Sequence, residues 1–258
     1  MKQWKKLTAL FLALGCMVGG LTACGGSGKS LESVQKAGTL VIATSPDFPP
    51  FETLENGKVV GIEIDILQKV AESMGVTLTI EQMDFEAVIP GVQAGRFDVG
   101  VSGITVTEKR KENVDFSDSY FLASQAIVVT QDSAVTGKAD LTGKRISVQT
   151  GTTAEEYCRQ NGYEVLSFTA NNDAAAALTS GKVDAWVVDN EVAVALAAQQ
   201  GLKVLDEAMT TEPYAFAFAK GSDTLVAKFN EELAKMLKDG TVAGIFEAYG
   251  VPYVSPVA

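Results

Sequence analysis

The chain has 258 residues, 47% of them hydrophobic, enough to bury one large core or two smaller ones. It carries 21 basic and 32 acidic side chains, a net charge of −11, which excludes nucleic acid and anionic lipid as direct partners. It has no histidine, which excludes histidine-based triads, histidine-ligated zinc and imidazole acid–base chemistry within this chain.

The first element is an export signal. Lys2, Lys5 and Lys6 precede an apolar run from Leu7 to Gly20, too short for a comfortable membrane span. Leu21, Thr22 and Ala23 then lead into Cys24 and the flexible stretch GGSGKS. This order resembles a bacterial lipobox. It implies a lipoprotein signal peptide over residues 1–23, cleavage before Cys24, lipid on that cysteine, and a tether over 24–30. An ordinary secretory signal in which Cys24 is incidental is the competing reading. Cleavage would leave 18 basic against 32 acidic residues, a balance of −14. Cys16 falls in the signal, so Cys158 is the one remaining internal cysteine and no internal disulfide is expected. Its setting, TAEEYCRQN, predicts a buried, inert helix thiol.

Strand and helix patterns then alternate. Leu40 to Thr44 predicts a strand; Ile64, Leu67, Ala71 and Met74 recur at helical spacing before the stop signal Gly75. Thr77 to Glu81 predicts a strand, Phe85 to Ala94 a helix, Asp98 to Ser102 a strand, and Ala126 to Thr130 another. The pattern restarts with strands at Ile146 to Gln149, Glu164 to Phe168 and Asp184 to Val188, and helices at Thr153 to Gln160, Asp173 to Leu178 and Val192 to Gln200. A late strand, Tyr214 to Ala219, precedes an amphipathic helix marked by Leu225, Phe229, Leu233 and Leu237. Such alternation predicts α/β layers around mainly parallel sheets.

One stretch echoes another. AGRFDVGVSG (94–103) and SGKVDAWVVD (180–189) each run from a small residue through Gly, a base, an apolar residue and Asp into a buried strand. In equivalent positions of two sheets, Gly103 and Asp189 would both stand at a strand's carboxyl end, where open α/β sheets bind ligands. Any two βα units share some of this likeness. GVSGI is no nucleophile elbow, because Ile104 replaces the required glycine, and no P-loop is visible, so any nucleotide hydrolysis would belong to another chain.

GIEIDILQKVAESM (61–74), IPGVQAGRFDVGVSGITVTEKRKENVDFSDSY (89–120), VQTGTTAEEY (148–157), KVDAWVVDNEVA (182–193) and DGTVAGIFEAYG (239–250) occur in this order. Together they resemble the family 3 bacterial extracellular solute-binding proteins, the amino-acid-capturing subunits of ABC importers. The resemblance covers residues 31–250. It implies a two-lobed periplasmic-binding-protein-like fold with two hinge crossovers. Residues 31–128 plus 214–258 would form lobe one and 132–212 lobe two. The crossings would fall near Val128 to Gln131 and near Glu212 to Tyr214.

A free amino acid brings a carboxylate and an ammonium, and burying either unpaired is costly. The resemblance implies that Arg110, in the run TVTEKR, grips the carboxylate with parallel hydrogen bonds. Taken alone, with Lys109 and Lys111 beside it, Arg110 reads as a solvated helix arginine. Ser102, Gly103 and Thr105 match a loop supplying backbone and hydroxyl contacts, with turn and cap chemistry as the alternative. Thr153, in GTTAEE, is placed at a helix start facing the ligand carboxylate, and with Glu156 it also fits a capping box. Asp189 would take the ammonium, with capping of the next helix as the rival. Phe48 and Phe85 match the side-chain wall, or else lobe core. Ser45 stands where cation-binding relatives carry an acid. That points to a neutral polar ligand, although Asp47, Glu52 and Glu86 lie close by.

The implied activity is capture without catalysis, metal or cofactor. The implied partners are a free amino acid and a permease with a separate ATPase subunit. The protein would be a monomer outside the cytoplasm, held to the membrane by lipid alone. Two competitors use the same scaffold. One is a periplasmic enzyme such as a cyclohexadienyl dehydratase, which needs a positioned acid or base. The other is a sensor that closes on ligand and signals to a membrane receptor.

Overall fold

The computed structural model describes residues 28–256. The expected signal peptide and the lipidation site Cys24 lie outside the described residues. The end of the expected tether is no tether. The Lys29 N–H donates to Ser222 Oγ at 3.0 Å, and Ser30 caps the helix Leu31–Ala37 by accepting from Ser33 N–H at 3.1 Å. Residues 28–30 are therefore fastened to the folded body.

Two five-stranded sheets organise the chain. In the first, Thr39–Thr44 lies between Thr77–Gln82 and Val99–Gly100, parallel to both, and Ala217–Ala219 joins antiparallel between Val99–Gly100 and Val114–Phe116. In the second, Arg145–Gln149 lies between Glu164–Phe168 and Ala185–Asp189, again parallel to both, and Gln125–Val129 joins antiparallel between Ala185–Asp189 and Lys203–Val204. This is a two-lobed α/β fold with the same arrangement in each half.

The crossovers decide where one lobe ends. Phe121–Ala123 pairs antiparallel with Glu212–Tyr214 in a separate two-stranded ribbon between the sheets. The boundary expected at residue 128, with a crossing near Val128 to Gln131, is thus displaced. All of Gln125–Val129 is buried in the second sheet, and the first crossing lies at Phe121–Ala123. An apolar run such as AIVV signals burial but carries no label for the sheet it joins. The late strand expected over Tyr214 to Ala219 likewise divides, with Glu212–Tyr214 in the ribbon and Ala217–Ala219 in the first sheet.

Local chemistry accounts for the elements. The helix Ile62–Met74 buries Ile62, Ile66, Leu67, Val70 and Ala71 on one face and stops at Gly75, whose φ of 71° is left-handed. Each of its larger aliphatic side chains contributes about 1.5–3 kcal/mol by leaving water. The internal echo is structural. Asp98 Oδ2 accepts the Val41 N–H at 2.8 Å while its own N–H donates to Val41 O at 2.8 Å. Asp184 repeats this with Arg145, at 2.9 and 2.8 Å. The registers Ile42↔Val99 and Ile146↔Ala185 then place Gly103 and Asp189 at matching positions at the carboxyl ends of the sheets. Among the described residues no helix is long and apolar enough to cross a membrane.

Candidate functional site

The strand ends of both sheets converge on one narrow cavity between the lobes. The first lobe lines it with Phe48, Phe85, Ser102, Gly103, Thr105 and Arg110, and the second with Gln149, Thr152, Thr153 and Asp189. A wider recess continues outward past Phe85, Arg110 and Glu156. Of the ligand-binding residues expected in the site, all but Ser45 line the cavity. Ser45 is buried behind it, its hydroxyl donating to Asp47 Oδ1 at 2.9 Å and its N–H to Ser102 Oγ at 2.8 Å.

The lobes touch across this cavity. Arg110 sits in the short helix Glu108–Lys111, capped by Thr107, whose Oγ1 accepts the Arg110 N–H at 3.2 Å. The cap fixes the backbone and leaves the guanidinium free to reach inward. Its Nη1 donates to Thr105 O at 2.8 Å, its Nη2 donates to Gly151 O of the other lobe at 3.2 Å, and it lies 5.5 Å from the Phe85 ring centre. Burial lowers its pKa, opposed by Glu212 and Asp189. Asp47 bridges the lobes too, accepting from Asn171 N–H at 2.7 Å and from the Gln149 side-chain amide at 3.2 Å.

Thr153 shows how a cap can be misassigned by one residue. In place of the expected capping box of Thr153 and Glu156, Thr152 caps the helix, its Oγ1 accepting the Glu155 N–H at 3.1 Å, while Glu155 reaches past the cap to accept the Gly151 N–H at 2.7 Å. Adjacent threonines meet the same sequence rule, and the turn geometry selects the first. Thr153 is thereby freed, and its hydroxyl donates into the cleft to Glu212 Oε2 at 2.6 Å.

Glu212 escapes the sequence reading. Its buried carboxylate accepts from Thr105 Oγ1 at 2.7 Å, Thr153 Oγ1 at 2.6 Å and Thr210 Oγ1 at 2.9 Å, so it joins a threonine of each lobe at the back of the cleft. One signal existed: an acid in the segment expected to cross between lobes has nowhere to lie but the cleft floor. Gln149 and Gln125 escape as well. The Gln125 side-chain amide donates to Asp189 Oδ1 at 3.1 Å.

Asp189 is 7% exposed, at the end of its strand. It makes no side-chain cap to the helix Asn190–Gln200 that follows, so capping does not account for it. Burial, then the negative charge of Glu212, pushes its pKa up to about 8. The Tyr214 hydroxyl approaches it without reaching regular hydrogen-bond geometry. A buried acid of this kind stands ready for a cation.

The first-lobe loop is built differently from expectation. The Gly103 N–H donates inward to Glu63 Oε2 at 3.0 Å, and Ser102 Oγ is engaged by Ser45 N–H. Gly103 has φ of 52°, and a Cβ there would lie 2.3 Å from the Phe48 ring. Phe48 serves as both wall and core, packed 5.7 Å from Phe51 and 6.4 Å from Tyr214, ring centre to ring centre.

Two lobes closing on a small cavity lined by a cation and buried acids define a solute-binding protein. The chain belongs to the bacterial extracellular solute-binding proteins, family 3, whose model matches residues 40–252. It is similar to the arginine-binding extracellular protein ArtP of Bacillus subtilis, at 32% identity over 93% of this chain and 94% of that one. Among solved structures it is similar to a mutant of ArgBP from T. maritima, at 36% identity and a TM-score of 0.82 over 85% of this chain and 98% of that one. It is also similar to an ancestral arginine-binding protein bound to glutamine, at 42% identity and a TM-score of 0.78 over 82% of this chain and 97% of that one.

Proposed function

We propose that this protein captures a free amino acid between its lobes as the substrate-binding component of an amino-acid ABC import system. It would pass the ligand to a membrane permease driven by a separate ATPase subunit. The observation that carries the reading is the approach of Arg110 and Asp189, from opposite lobes, to one cavity. Arg110, Thr105 and the amino end of the helix Thr153–Gln160 would hold the carboxylate. Asp189, oriented by Gln125, would hold the ammonium. Contacts to both poles form together only when the lobes are closed, so ligand favours closure. Such a site binds without reacting.

The ligand's side chain is read as neutral and polar. Ser45 supplies no charge, and the nearby Asp47 carboxylate is already engaged by Ser45, Asn171 and Gln149. Arginine is the second reading, supported by Asp47, Asp189 and Glu212 outnumbering Arg110 and by the names of the relatives. A thermal-shift screen of the free amino acids tests both, since a ligand at 100 times its Kd stabilises the fold by about 2.7 kcal/mol. The largest shift with glutamine supports the first reading and the largest with arginine the second. No shift with any amino acid, or recovery of a chemically altered compound, refutes capture. The protein is proposed to work as a monomer tethered through lipid on Cys24, and Cys24→Ser should release it from membranes.

A further inference from the structure

Glu52 and Glu63 are both fully buried in the first lobe. The backbone brings them together: the Glu63 N–H donates to Phe51 O at 3.1 Å, so the first turn of Ile62–Met74 lies against the residue before Glu52. The titratable groups facing this pair are Asp47 and Tyr120, neither of them a cation. No lysine or arginine among the described residues forms an ion pair with either glutamate.

The two carboxyls are treated unequally. Glu63 accepts from the Tyr120 hydroxyl on one oxygen and from the Gly103 N–H at 3.0 Å on the other, and it sits in the first turn of a helix, where negative charge is favoured. Both Glu52 oxygens lack a hydrogen-bond partner of regular geometry, although Glu63 and Ser102 lie close. Two carboxylates in one dry site cannot both ionise, and a carboxylate with no donors costs several kcal/mol to bury.

We infer that Glu52 is held as the neutral acid beside Glu63, and that Glu63, through the Gly103 N–H, positions the Ser102–Gly103 turn on the cleft wall. The Gly103 N–H is the connection, and Ser102, with φ of 155°, is held in a conformation that its own backbone disfavours. Burial, then the charge of Glu63, raises the Glu52 pKa well above its ordinary value. Glu52 and Glu63 are thus positioning residues for the proposed ligand site, and their test needs no ligand, so its failure leaves the capture reading standing.

The sign follows from the raised pKa. The folded protein keeps the Glu52 proton where the unfolded chain releases it, so this stability is present below about pH 4.5 and is lost as pH rises. Glu52→Gln removes that dependence and keeps a neutral donor. The melting temperature of the variant minus that of the wild type should widen by about 3–5 °C per pH unit as pH rises above about 4.5, until the Glu52 proton is lost. Infrared spectra at pH 7 should lose one protonated-carboxyl band in Glu52→Gln. Parallel melting curves, or an unchanged band, overturn the inference. In Glu63→Gln, hydrogen exchange of the Gly103 amide should accelerate at least about tenfold while Glu52→Gln leaves it unchanged; equal protection in both overturns the positioning role. Should Glu63→Gln fail to fold, the Glu52→Gln melting profile and infrared band decide.

Discussion

Ligand affinity should depend on pH through Asp189. Its carboxyl, facing Glu212, Glu191, Tyr214 and Gln125, sits at about 8 in the closed cleft. An ordinary aspartate titrates near about 3.9. At pH 7 the group is therefore mostly protonated in the closed, ligand-free cleft, and that proton must leave as a ligand ammonium arrives. Protonation competes with binding. Affinity should weaken about tenfold for each pH unit below 8, reaching about 100-fold at pH 6, and should flatten above 8. Without ligand, the sign for folding is the same as for any raised acid: the stability is present below the unfolded pKa and is lost as pH rises towards 8. Isothermal titration in buffers of different ionisation enthalpy should record net proton release on binding at pH 7, up to about one proton per ligand. In Asp189→Asn both the slope and the proton release should vanish. An affinity independent of pH in the wild type, or an unchanged slope in Asp189→Asn, would refute the pairing of Asp189 with the ammonium.

Arg110→Ala should lower affinity by about 2–5 kcal/mol, the usual cost of truncating one partner of a buried charge pair, while circular dichroism and melting temperature stay near wild type. Gly103→Ala should destabilise the fold by about 1–3 kcal/mol and weaken binding, because the new methyl meets the Phe48 ring at a positive φ; wild-type melting would refute the close approach. Cys158 is buried in the second lobe, and burial pushes its thiol up to about 12, so it should resist thiol reagents until the protein is unfolded. Rapid labelling of the native protein would contradict that burial.

Local pattern was sufficient for what depends on neighbours in sequence. Apolar periodicity placed the helix Ile62–Met74, and Thr153–Gln160 matched to the residue. The echo of AGRFDVGVSG in SGKVDAWVVD was legible as a repeated pattern, although the hydrogen bonds that make it a shared motif, Asp98 to Val41 and Asp184 to Arg145, join strands distant in sequence. The resemblance named Phe48, Phe85, Ser102, Gly103, Thr105, Arg110, Thr153 and Asp189, which line the cavity, but neither Gln149 nor Thr152.

Tertiary structure alone decided what depends on partners far apart in the chain. The sheet that Gln125–Val129 joins is set by its pairing with Ala185–Asp189 and Lys203–Val204, which its apolar side chains do not encode. Thr152 rather than Thr153 became the cap because the turn from Gly151 aims its hydroxyl at the helix, which turns Thr153 to the cleft. Glu212 and Asp47 became cleft acids, and Glu52 and Glu63 a buried pair, only when separate segments were brought together. A carboxylate reads the same in any sequence. Its charge state and its task are set by burial and by the groups that face it, and those are properties of the folded chain.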